Sequence, residues 1–166
     1  YVGISNYPTE AAAFAYQYLK ERDVPCLIYQ GKYSLLVRDP EEKGILQQAK
    51  EHGSGFIAFS PLAQGLLTDR YLNGIPADSR MARDGFLKKE VLSNEMLAKI
   101  VALNNVAANR GQSLAEMALA WLLKDELVTS VLVGASSVAQ LDKNLKAVRN
   151  TTFDAEELMQ IEEILK

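Results

Sequence analysis

The stretch CLIYQGKYSLLVRDPEEKGILQQAKEHGSGFIAFS, residues 26–60, decides the fold. It opens on one apolar run, 26–30, and closes on another, 56–60, and neither run alternates polar with apolar residues. Short continuous runs of this kind read as strands covered on both faces, the habit of parallel sheets. Between them, residues 41–52 read as one helix that stops at Gly53, a residue suited to the left-handed position after a helix. Strand, helix, strand makes a βαβ unit with a right-handed crossover.

The same alternation extends outward. Residues 1–5 (YVGIS) and 130–134 (SVLVG) supply two further strands. After Pro8-Thr9-Glu10, which resembles a helix start, AAAFAYQYLKER keeps an apolar stripe through Ala15, Tyr16 and Leu19. Further helical patterns occupy 93–109, 113–123, 137–148 and 154–165, the last with Asp154 as its N-cap. Leu114, Met117, Ala118, Trp121 and Leu122 recur at i, i+3, i+4, i+7, i+8 and read as core, not as a cofactor box. Strands alternating with helices give an α/β class with a parallel sheet. Two architectures remain open, a doubly wound sheet and a (β/α)₈ barrel, the latter usually needing about 250 residues. The glycine fingerprint GxGxxG is absent, which weakens the dinucleotide-binding open sheet. Residues 61–92 show little periodicity and contain Gly65, Gly74, Pro76 and Gly85, so they read as a long functional loop.

Composition narrows the class. With 166 residues, 48% of them hydrophobic, and a net charge of -3, the chain has the material for a soluble domain with a real core. No apolar run approaches the roughly 20 residues a bilayer requires, and no signal-peptide pattern opens the chain, so a cytoplasmic protein is expected. The scattered Lys and Arg residues form no nucleic-acid stripe. The lone Cys26 reads as a buried thiol in a reducing compartment. The only histidine, His52, sits where a cation favours a helix end, and no Cys/His cluster has metal spacing. The chain opens on Tyr1, directly in a β-like run, and reads as a fragment.

Chemistry gathers at strand ends. Ser5-Asn6, Gln30, Ser60 and Ser136 each follow or finish a strand, and parallel α/β folds collect ligands at those ends. Singly, such residues are ordinary turn formers and caps. Jointly, hydroxyl and amide groups that both donate and accept match the carboxamide of a nicotinamide ring. Phe59 could stack beside them, with a core role as its plain alternative. GASSVAQLDKN passes from the last strand into a helix, so backbone N–H groups with Ser136 and Ser137 could take a phosphate or simply cap the helix. Arg70 and Arg80 offer forked donors to phosphate, against the default of solvated loop arginines.

GISN at 3–6, QGKYSLL from Gln30, FSPLAQGLL from Phe59, GIPADSR ending at Arg80 and VGASSVAQLDKN from Val133 resemble, in order and spacing, the aldo-keto reductase superfamily. The resemblance covers essentially the whole chain. It points toward the L-glyceraldehyde 3-phosphate reductase-like branch and the potassium-channel β-subunit-like branch. It implies the C-terminal half, strands five to eight, of a (β/α)₈ TIM barrel binding NADPH at its carboxyl face. By motif, Ser5, Asn6 and Gln30 would hold the carboxamide while Phe59 stacks on the nicotinamide. Ser60, Leu62 and Gly65 would line the pyrophosphate path, with Arg70 and Arg80 in the covering loop. Ser136, Gln140 and Asn144 would meet the adenosine end and its 2′-phosphate. Arg70 stands where a lysine is common, and Lys143 where relatives often carry an acid. No residue matches the family's catalytic Asp, Tyr, Lys and His, so the parent protein is expected to reduce aldehydes or ketones while this chain alone is nearly inactive. A redox-sensing module like the channel subunits is the alternative. Self-association, or pairing with a missing N-terminal half, would cover the sheet edges that a half barrel leaves open.

Overall fold

The computed structural model describes residues 1–72 and 92–166, which form two compact units, one of Tyr1–Pro61 with Leu122–Gly134, the other of Leu62–Trp121 with Ala135–Lys166. The first unit holds β1 (Val2–Ser5), α1 (Thr9–Lys20), β2 (Cys26–Lys32), α2 (Asp39–Glu42), α3 (Ile45–Glu51), β3 (Gly55–Phe59) and β4 (Ser130–Val131). All four strands run parallel in the order β1-β2-β3-β4. A doubly wound sheet reverses its strand order at a switch point, and no reversal occurs here. Consecutive order is consistent with part of a (β/α)₈ barrel.

Three expectations need correction. The helix expected over 41–52 is two helices, because Gly44 sits at φ 71 between α2 and α3. A left-handed residue cannot continue a right-handed helix, and glycine adopts that conformation without a Cβ penalty. The strand expected over 130–134 pairs with β3 only at Ser130 and Val131, although the Leu132 N–H still donates to the Ala58 carbonyl at 2.9 Å. Finally, the sheet is not covered on both faces. Register places Tyr29 beside Phe56 and Gly31 beside Ala58, and all four are buried. The opposite face carries Gly3, Ser5, Ile28, Gln30, Ile57 and Phe59, which are half-buried or exposed.

The covered face packs tightly. Tyr29 and Phe56 stack with ring centroids 5.6 Å apart, and Tyr33 meets Phe56 edge-on at 6.1 Å. Ala12 and Tyr16 of α1 and Leu46 and Ala49 of α3 are buried on the helical side. His52, just past α3, stacks on Tyr16 at 4.4 Å, so packing as well as the helix end accounts for it. Cys26 is buried and free, as expected.

The second unit is helical: α4 (Asn94–Asn109), α5 (Leu114–Leu122, of which the last residue falls in the first unit), α6 (Val138–Leu145) and α7 (Ala155–Leu165). The expected stripe on α5 is core: Leu114, Met117, Ala118 and Trp121 are fully buried. Ser93, Ser137 and Asp154 cap α4, α6 and α7 with their side-chain oxygens, and Asp154 with Glu157 completes a capping box. Arg110, at the end of α4, has a side chain only 2% exposed and pairs with Glu157 of α7. Its guanidinium also donates to Gln112 at 2.8 Å and to the Thr152 carbonyl at 2.9 Å, and lies over the Phe153 ring at 3.6 Å. Among the described residues no helix is long and apolar enough to cross a membrane.

Candidate functional site

In a parallel sheet, register partners project to the same face, about 4.8 Å apart. Ser5 is the register partner of Gln30, so a hydroxyl and a carboxamide stand side by side on the open face at the carboxyl end of the sheet. Phe59, paired with Lys32, lies on that same face by alternation from Gln30. Phe59 is half-buried, whereas Phe56 on the covered face is 1% exposed.

The chain turns sharply where these strands end. The Asn6 N–H donates to the Gln30 carbonyl at 3.0 Å, extending the ladder by one residue while Asn6 takes φ 56. Ser60, directly after β3, also takes a left-handed conformation, at φ 54. Asparagine tolerates the left-handed region, but for serine it is uncommon, and such conformations cluster where surroundings over-determine them. These two turns were not legible in the sequence; Pro61 would favour an extended Ser60.

In the second unit, the FSPLAQG motif continues as a tight turn, with Ala63, Gln64 and Gly65 at φ 46, 59 and 100. The Gly65 and Leu67 N–H groups both donate to the Leu62 carbonyl, at 2.8 and 3.2 Å. Thr68 accepts from the Arg70 N–H at 3.3 Å, and Arg70 is exposed. Arg80 lies outside the described residues, as does most of the loop expected over 61–92. At the start of α6, Gln140 Oε1 accepts from the Ser136 N–H at 2.8 Å and from its hydroxyl at 3.1 Å, while Ser137 takes the capping role. Asn144, one turn beyond Gln140, is 5% exposed, and its Nδ2 finds no hydrogen-bond partner among the described residues. Gln140 and Asn144 lie one turn apart along one side of α6, and Gln140 reaches back to Ser136 just ahead of the helix. Ser5, Asn6, Gln30, Phe59 and Ser60 belong to the first unit, and Leu62, Gly65, Arg70, Ser136, Gln140 and Asn144 to the second.

A cleft of about 670 Å³ opens in the first unit, bounded by the β1–α1 turn, the end of β2 and α2. Apolar groups from Pro8, Tyr29, Val37, Pro40 and Ile45 line it, with Asn6 and Lys32 at the sheet end. Its remaining charges are Glu10, Asp39 and Lys43. Asp39 and Lys43 form an ion pair, and each holds the other charged: the hydrogen bond from Lys43 lowers the carboxyl, and the one to Asp39 raises the ammonium. Burial pushes the Tyr29 phenol up, and its hydroxyl donates to the Tyr7 carbonyl at 2.5 Å. Sequence reasoning missed this cleft and Lys32, because neighbouring turns in space left no local pattern. Among the described residues no group of His, Cys, Asp and Glu side chains could hold a metal ion.

The model of the Aldo/keto reductase family matches residues 1–166. The chain is 51% identical over 167 residues to an L-glyceraldehyde 3-phosphate reductase of Escherichia coli O157:H7, covering 98% of this chain and 48% of that protein. It is 36% identical over 125 residues to a "Probable voltage-gated potassium channel subunit beta" of Arabidopsis thaliana, covering 74% of this chain and 38% of that one. An aldo-keto reductase from Bacillus halodurans, solved in its holo form, superposes with a TM-score of 0.71 at 29% identity, over 100% of this chain and 50% of its own. The chain spans about half the length of the curated relatives it matches.

Proposed function

This chain belongs to the aldo/keto reductase family, and from that premise we propose that it is the cofactor-binding half, strands five to eight, of a (β/α)₈ reductase barrel. The whole protein would use NADPH to reduce an aldehyde or ketone. The observation that carries the reading is the row of Ser5, Gln30 and Phe59 on the open face at the carboxyl end of the sheet. A hydroxyl and an amide about 4.8 Å apart complement a carboxamide, and a half-buried ring beside them suits stacking on nicotinamide.

When bound, NADPH supplies the hydride. Ser5, Asn6 and Gln30 would fix the ring's rotation by holding its carboxamide, and Phe59 would hold its plane. In the second unit, the turn at Leu62–Gly65 would take pyrophosphate, and Ser136, Gln140 and Asn144 would take the adenosine end, Asn144 offering an amide nitrogen that has no hydrogen-bond partner among the described residues. Arg70 would add charge from the loop.

Two further observations support the half-barrel reading. The open face bears Ile28, Ile57 and Phe59, an apolar set expected where a barrel interior closes over it. Strand order is also consecutive. The family's proton-donating groups match nothing in this chain, and losing a positioned proton donor costs about 10²- to 10⁴-fold, so activity would require the complementary half. The likeness to a channel β-subunit supports a second reading, a nucleotide-binding redox sensor. A whole protein that binds NADPH yet reduces none of a broad aldehyde panel would favour it.

Fluorescence titration of the chain with NADPH tests the cofactor reading. Gln30→Leu and Phe59→Ala should each weaken binding about tenfold, the scale of one lost polar or stacking contact. Phe59→Tyr should bind like wild type. Unchanged affinity in both damaging variants refutes the placement.

A further inference from the structure

We infer that the outward face of α1 is a dimer interface, and that its partner is the same face of a second copy of this chain, laid antiparallel across it about a two-fold axis. Glu10, Phe14, Tyr18 and Arg22 recur at i, i+4, i+8 and i+12 and form one ridge along α1 and the turn that follows it. Ala12 and Tyr16, on the other side of the helix, face the core and are buried, whereas Phe14 is 72% and Tyr18 47% exposed. A single exposed apolar residue is ordinary, but neighbouring aromatic rings beside an arginine have the composition of an interface centre. The ridge is also held in shape before any partner arrives. Phe14 and Tyr18 meet with ring centroids 6.1 Å apart, the Arg22 guanidinium lies over the Tyr18 ring at 3.5 Å, and Arg22 Nη1 donates to the Tyr18 carbonyl at 3.0 Å. Side chains ordered in advance lose less entropy on association. Ala11 and Ala15 floor the groove beside the ridge, so the i±4 ridge of a second helix can enter it.

Charge decides the occupant. Along the chain the ridge runs acid, ring, ring, base. Across a two-fold axis midway between Phe14 and Tyr18, Glu10 meets Arg22 of the second copy while Phe14 meets Tyr18 of the second copy, and each contact occurs twice. A parallel arrangement would instead set Glu10 against Glu10 and Arg22 against Arg22. Glu10 is exposed and has no ion pair among the described residues, and the one Arg22 makes, to Glu21 at 3.6 Å, is itself exposed. The helix end favours an acid in the first turn, which accounts for Glu10 alone. It does not account for a base in the matching place at the far end of the same ridge. A contact of one helix per copy is small, so the dimer is a weak one.

Sedimentation velocity of the full chain, from about 1 µM to about 300 µM, tests the inference in the range where a small interface associates. Wild type should move from monomer toward dimer as concentration rises. Glu10→Arg and Arg22→Glu should each weaken the dimer about tenfold, because each turns two attractive contacts into two like-charge ones. Mixed in equal amounts, the two variants should associate about as well as wild type, since every pairing is again of opposite sign, and that recovery shows that both are folded. Phe14→Ala should weaken the wild-type dimer about tenfold by removing both ring contacts. The inference is overturned if wild type stays monomeric throughout the range. It is equally overturned if wild type associates and neither charge variant weakens it, which would move the contact to another surface such as the open face of the sheet, or if mixing the two variants recovers nothing.

Discussion

Replacing Arg110 with methionine tests how the second unit is held together. The guanidinium is 98% shielded, since its side chain is only 2% exposed, and it ties α4 to α7 and to the connection before α7. It pairs with Glu157, donates to Gln112 and to the carbonyl of Thr152, and covers the ring of Phe153. Methionine keeps most of the aliphatic stem and so isolates the charge from the packing. Breaking a buried pair by removing one partner costs about 3–5 kcal/mol. Glu157 retains 25% side-chain exposure and its place in the capping box with Asp154, so water and the helix end can partly satisfy it. The lower end, about 3 kcal/mol, is therefore expected, or about 6–12 °C in Tm for a chain of this size. Urea denaturation followed by the fluorescence of Trp121, with native-state hydrogen exchange on α4 and α7, gives both the magnitude and its location. A double-mutant cycle with Glu157→Gln, which preserves the cap but removes the charge, should return a coupling above about 0.5 kcal/mol. A loss below about 1 kcal/mol for Arg110→Met, with no change in α7 exchange, would refute the clamp.

Two further perturbations probe the first unit. A Cβ at Gly31 would approach Phe56 Cζ to 2.7 Å and Tyr29 Cε1 to 3.2 Å, so Gly31→Ala should cost about 1–3 kcal/mol by overpacking the covered face, read as a lower urea midpoint. For Glu41, burial pushes the carboxyl up, but the hydrogen bonds from Arg38 and Tyr33 prevail and its pKa is lowered overall. A depressed carboxylate contributes stability that is present above its unfolded pKa and lost as the pH falls through the folded value. Wild type should therefore exceed Glu41→Gln in urea midpoint near neutral pH, and the gap should close as the pH falls below the ordinary carboxylate range and through the depressed folded value; a gap independent of pH refutes the assignment.

Residues that reveal themselves in sequence are those whose role is local or periodic. The four strands were legible because short apolar runs ended in Ser5, Gln30 and Ser60, and the α5 core because Leu114, Met117 and Trp121 recur at helical spacing. Gly44 was not, since a helical pattern on both sides of a glycine looks the same whether the helix tolerates it or breaks there. Nor was Arg110, whose partner Glu157 is distant in sequence; a basic residue after a helix reads as a solvated end until a second helix arrives beside it. The site divides along the same line. Ser5, Gln30 and Phe59 could be nominated one by one, yet only register decides that they share a face, because a shift of one residue in β2 would turn Gln30 to the covered side. The open face shows why apolar content alone misled. Ile28 and Ile57 are as hydrophobic as Tyr29 and Phe56, so a sequence cannot distinguish a face covered within this chain from one whose cover comes from elsewhere. A half-exposed apolar face and a covered one look alike in composition, and only register and burial, Phe59 half-buried against Phe56 enclosed, tell them apart.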